Sequence, residues 1–579
     1  MATYLVAAAA LLAICYIYRL LLPRPPLPGI PHNPASTRRL FGDMGAAKAL
    51  GRQTGEMSAA IFHIARNIMQ QHQPADTPYK IPIAQLLVPS FLPGTGAHVV
   101  VVDDAREAED ILVRRNREFD RSELTAQFFR PVFPRSTIAQ PTTPALRAQK
   151  RLWSDVMGAD FLRRVVAPNI CGAAEEVVEL WRIKAAAAAE AKGVDGLGEG
   201  GRPFDVKHDF GTAALDAIWV AVLGSKLGAM RREIERVRQH KACGEEAKAA
   251  PGQSGALPSS AVAVQQAVEH MNRIVTAGFG SVWPAAAFFW IQLTPAYRRF
   301  KRVAYGEVRG LMAAACARFD SDGADELDTC AMDLVLRREM LAAKKAGRPV
   351  PDPTRDPAML QELLLLLLAV TAQSTLRSAL HSAFLTTSNT SNKTPSATAI
   401  LDAAIPYLDA VIEETVRMST TAGVIARRAV ADTTILGCRV PAGTNVLLNT
   451  RLSPTGGVPE ELRSATSRAA QARRGGGGPD GSPGREMHVF EPRRWLVSDA
   501  SSKGGGEVFD AHALPALVFG GGLRGCFGKR LAMLELRIMV VYLVLNFEFL
   551  PLPDDLATMT GEERLFRGPR TCFVRLKAL

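Results

Sequence analysis

The sequence has no Cys-x-x-Cys pair among its eight cysteines. Each cysteine stands singly, at positions 15, 171, 243, 316, 330, 438, 526 and 572. Isolated cysteines of this kind are typical of a reducing compartment, where thiols stay free and are mostly buried. The pattern therefore argues against a fold that is stapled by disulfides.

The sequence also shows little clustering of its basic side chains, although the net charge at pH 7 is +12. The arginines are scattered, and no basic helix or basic-aromatic module is present, which argues against nucleic-acid binding. The positive charge instead favours an anionic membrane surface or an acidic protein partner. Hydrophobic residues make up 47% and charged residues 22% of the chain, the composition of a folded protein with a large core.

One cysteine lies in a glycine-rich stretch, Phe519 to Gly528, immediately before a long apolar helix. The glycines permit tightly folded backbone and the close approach of a flat ligand. Arg524 and the N-terminus of the following helix both favour an anion, so we expect Cys526 to be held easily as the thiolate. The thiolate is the form of cysteine that binds a metal.

A phosphate-binding glycine loop is the alternative interpretation of this stretch. Such a loop is expected to carry Lys-Ser or Lys-Thr after its last glycine, whereas Lys529 and Arg530 follow here. The stretch resembles the haem-binding signature of the cytochrome P-450 superfamily, and the residues in register are Phe519, Gly522, Arg524, Cys526, Gly528 and Ala532. The resemblance implies haem b as cofactor, with Cys526 as the axial thiolate ligand of its iron.

An apolar run near the N-terminus, Leu5–Tyr18 continued by Leu20–Leu22, predicts a transmembrane anchor over residues 1–22. A cleaved signal peptide is the alternative, but a basic segment before the run and a clear cleavage site are both lacking. Arg19 and Arg24 place the rest of the chain on the cytosolic side. Microsomal members of the family share this arrangement, which implies a single-pass protein of the endoplasmic reticulum membrane.

Prolines crowd residues 23–36 and predict a stiff hinge that holds the folded part at a fixed distance from the membrane. Residues 37–579 are then expected to form one catalytic domain. Three stretches in it are rich in Ala, Gly, Ser or Pro without apolar periodicity, and we interpret them as surface insertions: 184–201, 243–260 and 472–484.

Residues 123–143 lack clean periodicity, which predicts a loop over a pocket, and the resemblance implies that this loop lines the substrate site. The helix expected from Pro144 resembles the one that supplies cations to the haem propionates, and the resemblance implies Lys150 for that role. Leu146 stands where the family has Trp or His, and a solvated basic face is the alternative for Lys150. Residues 281–293 are apolar and aromatic; we expect them in the core, with membrane contact as the alternative.

A second informative helix is predicted from Gln361 to Ser382, because residues 363–368 are apolar on every face and should be buried. The polar residues after this run resemble the oxygen-activation motif of the family, which implies Thr375 as a catalytic proton-relay hydroxyl. Ala372 and Ser374 depart from the motif, and Ser374 replaces its acid, which puts proton delivery by a carboxylate in doubt. The alternative is that Thr375 bonds only to its own helix. Residues 386–398 form a Ser/Thr/Asn tract where microsomal relatives carry another helix.

Glu414 and Arg417 lie three residues apart on a predicted helix and can pair. Such a pair is most often on the surface, but Pro492–Trp495 resembles the family's Pro-x-Arg-Phe/Trp element. The resemblance implies a buried structural network of Glu414, Arg417 and Arg494. Arg427 lies five residues before Asp432, where the family has a propionate-binding arginine; a solvated charge is the alternative.

Together these features predict a mostly α (α+β) protein with the cytochrome P-450 fold and an N-terminal transmembrane anchor. The function implied is a haem-thiolate monooxygenase that acts on a small hydrophobic substrate. Electrons would come from NADPH through a flavoprotein reductase, since no Gly-x-Gly-x-x-Gly fingerprint follows a predicted strand. Two alternatives stay open: a haem-thiolate isomerase or dehydratase that needs no reductase, and a non-catalytic haem-binding or degenerate product.

Overall fold

The chain folds into many helices with one larger sheet and several two-stranded ones. The computed structural model describes residues 2–72, 81–89, 98–190, 201–243, 260–281, 284–321, 328–347, 352–373, 395–451, 458–473, 487, 489–498, 507–558, 560–564 and 566–579. The helices are α1 Ala2–Leu21, α2 Met44–Thr54, α3 Met57–Gln71, α4 Ala105–Val113, α5 Glu123–Phe129, α6 Pro144–Leu152, α7 Ala159–Phe161, α8 Ala167–Glu190, α9 Lys207–Leu223, α10 Ala229–Cys243, α11 Ser260–Gly280, α12 Pro284–Leu293, α13 Pro295–Ser321, α14 Ala331–Lys345, α15 Pro357–Gln373, α16 Ala397–Asp402, α17 Pro406–Ser419, α18 Ala465–Arg473 and α19 Lys529–Asn546.

The strands are short. They are β1 Ile83–Leu86, β2 Val99–Val102, β3 Phe119–Arg121, β4 Phe204–Asp205, β5 Val424–Ala429, β6 Thr433–Ile435, β7 Cys438–Val440, β8 Asn445–Asn449, β9 Leu496–Ser498, β10 Glu507–Phe509, β11 Phe547–Phe549, β12 Gly561–Glu563, β13 Arg567–Pro569, β14 Phe573–Val574 and β15 Leu576–Ala578. Five of them form the largest sheet, in the order β1-β2-β8-β5-β3, in which β2 and β8 run parallel and the other pairs run antiparallel.

Strand β2 shows that this sheet is covered on both faces. Its four residues are all buried, and successive side chains point to opposite faces. Val100 and Val102 pack in one apolar cluster with Leu112 of α4. Val99 and Val101 pack in another cluster with Phe62 of α3. A continuous valine run is what a strand buried on both faces requires.

The largest apolar core belongs to the helices, in which α8 packs against α9, α10 and α19 while α15 packs against α9. Trp181 of α8 is fully buried, and its indole N–H donates to Asp209 at 3.0 Å. A smaller cluster of Ile412, Val416 and Leu536 joins α17 to α19. These contacts fix the start of α19, which directly follows the glycine-rich stretch.

Helix α1 is long and apolar enough to span a membrane. Residues Tyr4–Leu21 have a mean hydropathy of 2.0, and none of this window is buried against the rest of the chain. In the proline-rich stretch after it, Leu27 and Ile30 are buried against the sheet. Gln85 also bonds the backbone of both residues, at 2.8 to 2.9 Å. Much of the stretch is therefore part of the folded domain.

The segments 184–201 and 123–143, which the sequence predicted to be irregular, both begin with helical residues. Residues 184–190 of the first expected insertion continue α8, and Lys184 forms an ion pair of 2.7 Å with Asp209. Residues 191–200, 244–259 and 474–486 lie outside the described part of the chain.

The segment 123–143 is not entirely a loop, because Ser122 caps α5 at its start. The physical reason is the side-chain oxygen of Ser122, which accepts from the Leu124 amide at 3.0 Å.

The aromatic stretch 281–293 is only partly core. Phe288 is buried, but Phe289 and Trp290 are 58% and 68% exposed. The expectation that this stretch is core is therefore correct for Phe288 and wrong for its two neighbours. The reason is geometric: successive positions of α12 point about 100° apart, so one helix face cannot bury three consecutive side chains.

Candidate active site

The glycine-rich stretch is a tight turn held by its own backbone. The Cys526 amide donates to the Phe519 carbonyl at 2.7 Å. Gly522 has φ of +61°, and a Cβ there would lie 2.6 Å from the Leu112 carbonyl oxygen of α4. A Cβ at Gly528 would meet no atom of the described residues within 4 Å. Gly522 is therefore required by packing, whereas Gly528 leaves open space beside Cys526.

Cys526 is exposed to solvent although protein surrounds it closely, a combination expected for a group that lines a cleft. Burial raises the pKa of its thiol, while the amides of Gly528 and Lys529 and the ammonium of Lys150 lower it. The raised pKa differs from our expectation of an easily formed thiolate, because desolvation outweighs these favourable groups in the protein alone. A bound metal ion deprotonates a coordinating thiol outright.

Two arginines face each other across the edge of the sheet. Strands β3 and β5 pair with Arg121 directly opposite Arg427, so both side chains lie on one face, an arrangement that destabilises like charges. Burial and then the charges of Arg427 and Arg524 lower the pKa of Arg121 to about 9. Burial and then the charge of Arg524 lower the pKa of Arg427 to about 10. We call Arg121, Arg427 and Arg524 the arginine cluster.

The arginine cluster is incompletely paired within the described ranges. The buried Nε of Arg121 has no hydrogen-bond partner there, and Arg427 donates to the Ala426 carbonyl at 3.2 Å. Asp120 is the nearby acid, 3.4 Å from the Arg524 guanidinium. One carboxylate cannot neutralise three guanidinium groups, so the site is suited to a ligand with further negative charge. The two propionates of a haem supply such charge, and the residues present fit that group.

Arg524 and Lys150 connect the turn to the elements around it. Arg524 donates to Thr142 Oγ1 at 2.8 Å and to the Gln140 carbonyl at 2.8 Å. Lys150 on α6 donates to the Leu523 carbonyl at 2.6 Å. Burial and the charges of Arg524 and Arg121 lower the pKa of Lys150. Lys150 thus lies beside the cysteine turn, rather than on a solvated helix face.

Behind the turn, Glu414 of α17 forms the centre of a second set of charges. Arg417 donates to it twice at 2.7 Å, Arg494 donates at 3.0 Å and the Trp495 indole at 2.9 Å. Burial acts to raise the pKa of Glu414, but the hydrogen bonds and charge of Arg417 lower it overall. We call these four residues the glutamate network. The structure brings together the three charged residues that the sequence suggested.

The described residues do not include Thr375. Helix α15 is described to Gln373, and residues 374–394 lie outside the described part of the chain. The helix expected from Gln361 to Ser382 begins earlier, at Pro357. Its expected residues 374–382 lie outside the described part of the chain. The role of Thr375 stays a prediction.

The sequence interpretation missed Arg121 and Trp495 as parts of these two sites. Arg121 had no signal, because its position opposite Arg427 depends on a strand pairing between residues about 300 apart. Trp495 had a weak signal, as it ends the recognised Pro492–Trp495 element. Arg524 is buried by its contacts with residues 120–142, so it does not face a protein partner.

Comparisons with known proteins agree with this geometry. The family model described as Cytochrome P450 matches residues 90–452 and 486–573. A cytochrome P450 monooxygenase of Penicillium rubens is 30% identical, over 99% of this chain and 96% of that protein. Another, of Pestalotiopsis microspora, is 28% identical, over 99% of this chain and 98% of that protein.

The fold likeness extends to a solved structure. The crystal structure of a cytochrome P450 has a TM-score of 0.56 to this chain at 16% identity, over 90% of this chain and 94% of the other. At this identity the likeness shows the fold alone. Together with the family match, which covers more than half of the residues, it confirms the mostly α, α+β fold class. The chain belongs to the cytochrome P450 family and is an oxidoreductase of the monooxygenase type, with haem as its cofactor.

Proposed function

We propose that this protein is a haem-thiolate monooxygenase that inserts one oxygen atom of O2 into a small hydrophobic substrate, with electrons from NADPH delivered by a flavoprotein reductase. The observation that carries the proposal is the juxtaposition of Cys526 with the arginine cluster and Lys150. A thiolate ligand and a set of incompletely paired cations in one cleft match the two ends of haem recognition: iron and carboxylates.

Each residue of the site has a proposed part. Cys526 binds the iron, and the haem supplies the activation of O2 when bound. Arg121, Arg427 and Lys150 bind the propionates, and Arg524 adds positive charge while it holds the turn to residues 137–142. Phe519 and Gly522 shape the turn, and Gly528 leaves room for the flat macrocycle. Thr375, which lies outside the described residues, would supply a proton-relay hydroxyl.

We propose the endoplasmic reticulum membrane as the location, with α1 as a single-pass anchor and residues 37–579 in the cytosol. Support comes from the apolar window Tyr4–Leu21, none of which is fully buried, and from Arg19 near its end and Arg24 after it. The exposed Phe289 and Trp290 offer a second place of contact with lipid. For the reductase, exposed Arg530 at the start of α19 is a candidate contact.

A second candidate function is a haem-thiolate isomerase or dehydratase that needs no reductase. The observation that favours it is Ser374, which stands at the position of the acid in the oxygen-activation motif. Oxygen consumption that depends on NADPH and on substrate supports the monooxygenase. Turnover of substrate without reductase or NADPH supports the isomerase instead.

The central test is the absorption spectrum of the reduced protein with bound carbon monoxide. We expect a thiolate-type band in the parent protein and its absence in Cys526→Ser. The matched control is Cys438→Ser, at a partly buried free cysteine of β7, which should keep the band. Persistence of the band in Cys526→Ser would show that another residue binds the iron. Failure of the parent protein to take up haem would show that the chain is a degenerate product rather than an enzyme.

A further inference from the structure

Residues 130–143, which we call the connecting segment, join α5 to α6 and are bonded on two sides. On one side, the Arg135 amide donates to Gln361 Oε1 of α15 at 2.8 Å. The Thr137 amide and hydroxyl donate to the two carboxylate oxygens of Glu362 at 2.9 and 2.7 Å. Both acceptors are buried, at 7% exposure each. Helix α15 thus anchors the segment through hydrogen bonds between residues more than 200 positions apart.

On its other side, the connecting segment is bonded to the cysteine turn. Arg524 donates to the Thr137 carbonyl at 3.3 Å and to the Gln140 carbonyl at 2.8 Å. Thr137 therefore uses its amide and hydroxyl toward Glu362 and its carbonyl toward Arg524. Thr137 thus links α15 to Arg524, which lies two positions before Cys526.

A second link runs through α6. Gln149 donates to Glu362 at 3.4 Å, and the ammonium of Lys150 acts electrostatically on the Glu362 carboxylate. Lys150 in turn donates to the Leu523 carbonyl of the cysteine turn at 2.6 Å. Glu362 is consequently the point at which two separate contacts with the turn converge.

We propose that Glu362 is a positioning residue for the haem site. It holds the connecting segment so that Arg524 and Lys150 fix the cysteine turn, and it thereby connects α15 to the turn that carries Cys526. This inference rests on the proposed role of Cys526. A buried carboxylate is costly to desolvate, and three donors from the segment and α6 offset part of that cost, although burial still raises the pKa of Glu362.

The experiment measures haem retention in Glu362→Ala, Glu362→Gln and Thr137→Val of the full chain loaded with haem. The readout is the rate of haem transfer to excess apomyoglobin, together with the fraction of the carbon monoxide complex that has the thiolate-type band. Loss of an outer partner of a metal site costs about 10- to 100-fold in affinity, so we expect about tenfold faster transfer in Glu362→Ala. Glu362→Gln keeps one carbonyl acceptor and should lie between Glu362→Ala and the parent.

The matched control is Glu123→Gln, which removes one carboxylate charge from the exposed ion pair with Arg130 beside the same segment; its transfer rate should equal that of the parent. Hydrogen exchange at the amides of residues 135 and 137 reports whether the segment is released. If exchange increases in Glu362→Ala and Thr137→Val while transfer rate and spectrum match the parent, Glu362 supports only the segment and the inference is wrong. A parent without a thiolate-type band would overturn the proposed function itself.

Discussion

The glutamate network and the arginine cluster both bury excess positive charge, but only one of them is complete. In the glutamate network, two guanidinium groups share Glu414, and the carbonyls of Met487 and Val489 accept further bonds from Arg417 and Arg494. In the arginine cluster, three guanidinium groups share Asp120, and Arg121 Nε is unpartnered among the described residues. We interpret the satisfied donors of the glutamate network as a sign of a structural role, and the unpartnered Arg121 Nε as support for the proposed haem-binding role of the arginine cluster.

The largest effect is expected from Glu414→Ala, because it leaves two buried arginines without their carboxylate. Breaking a buried pair in this way costs roughly 3 to 5 kcal/mol in the free energy of unfolding. The loss should appear in urea unfolding of the protein both with and without haem. Glu461→Ala, at an exposed glutamate, is the control, and an equally small effect of both substitutions would remove the distinction between the two sites.

The next largest effect is expected from Arg427→Gln, and its sign should differ between the two forms of the protein. Without haem, the substitution removes one of three repelling cations, so the free energy of unfolding should stay equal or increase. With haem, one charge-assisted hydrogen bond is lost and the affinity should fall roughly tenfold. Titration with haem measures the affinity. Arg428→Gln, at the exposed neighbour on β5, is the control and should change neither quantity.

A smaller effect is expected from Thr375→Ala, which belongs to neither set of charges. Haem binding and unfolding should match the parent, while reducing equivalents pass from product to hydrogen peroxide, because a positioned hydroxyl is needed to deliver a proton. The measurement is product formed per NADPH consumed. If Thr375→Val forms as much product per NADPH consumed as the parent, the hydroxyl bonds only to its own helix.

The smallest effect on both sites is expected from deletion of residues 2–22. The window Tyr4–Leu21 is not buried against the domain, so its removal should release the protein from membranes while haem affinity stays that of the parent. Sedimentation with vesicles measures the release. Persistent binding to vesicles would direct attention to Phe289 and Trp290, and loss of haem would contradict the interpretation as an anchor.

The sequence alone was sufficient where a local pattern determines the structure. The valine run of β2, the helix that carries Glu414 and Arg417, and the turn around Cys526 follow from periodicity and glycine placement, together with family resemblance. Confirmation came for the family, the fold class and the haem cofactor.

What could not be predicted depends on contacts between distant parts of the chain. The pairing of Arg121 with Arg427 needs the register of β3 against β5, and the burial of Arg524 needs the position of residues 137–142. The role of Glu362 is a further example, because an acid in an apolar helix gives no indication of which amide it will accept from. Long-range hydrogen bonds of this kind have no local signature.

The glycines of the cysteine turn also determine which positions tolerate change in an engineered enzyme. A side chain at Gly522 would collide with the Leu112 carbonyl, and one at Gly521 would lie 2.5 Å from Val113 Cγ2. A replacement at Gly522 must displace α4, whereas one at Gly521 requires the Val113 side chain to move. At Gly528 the chain itself leaves space, so any intolerance there comes from the cofactor. A mutant library that includes all three positions would therefore separate variants that fail to fold from variants that fold but remain colourless.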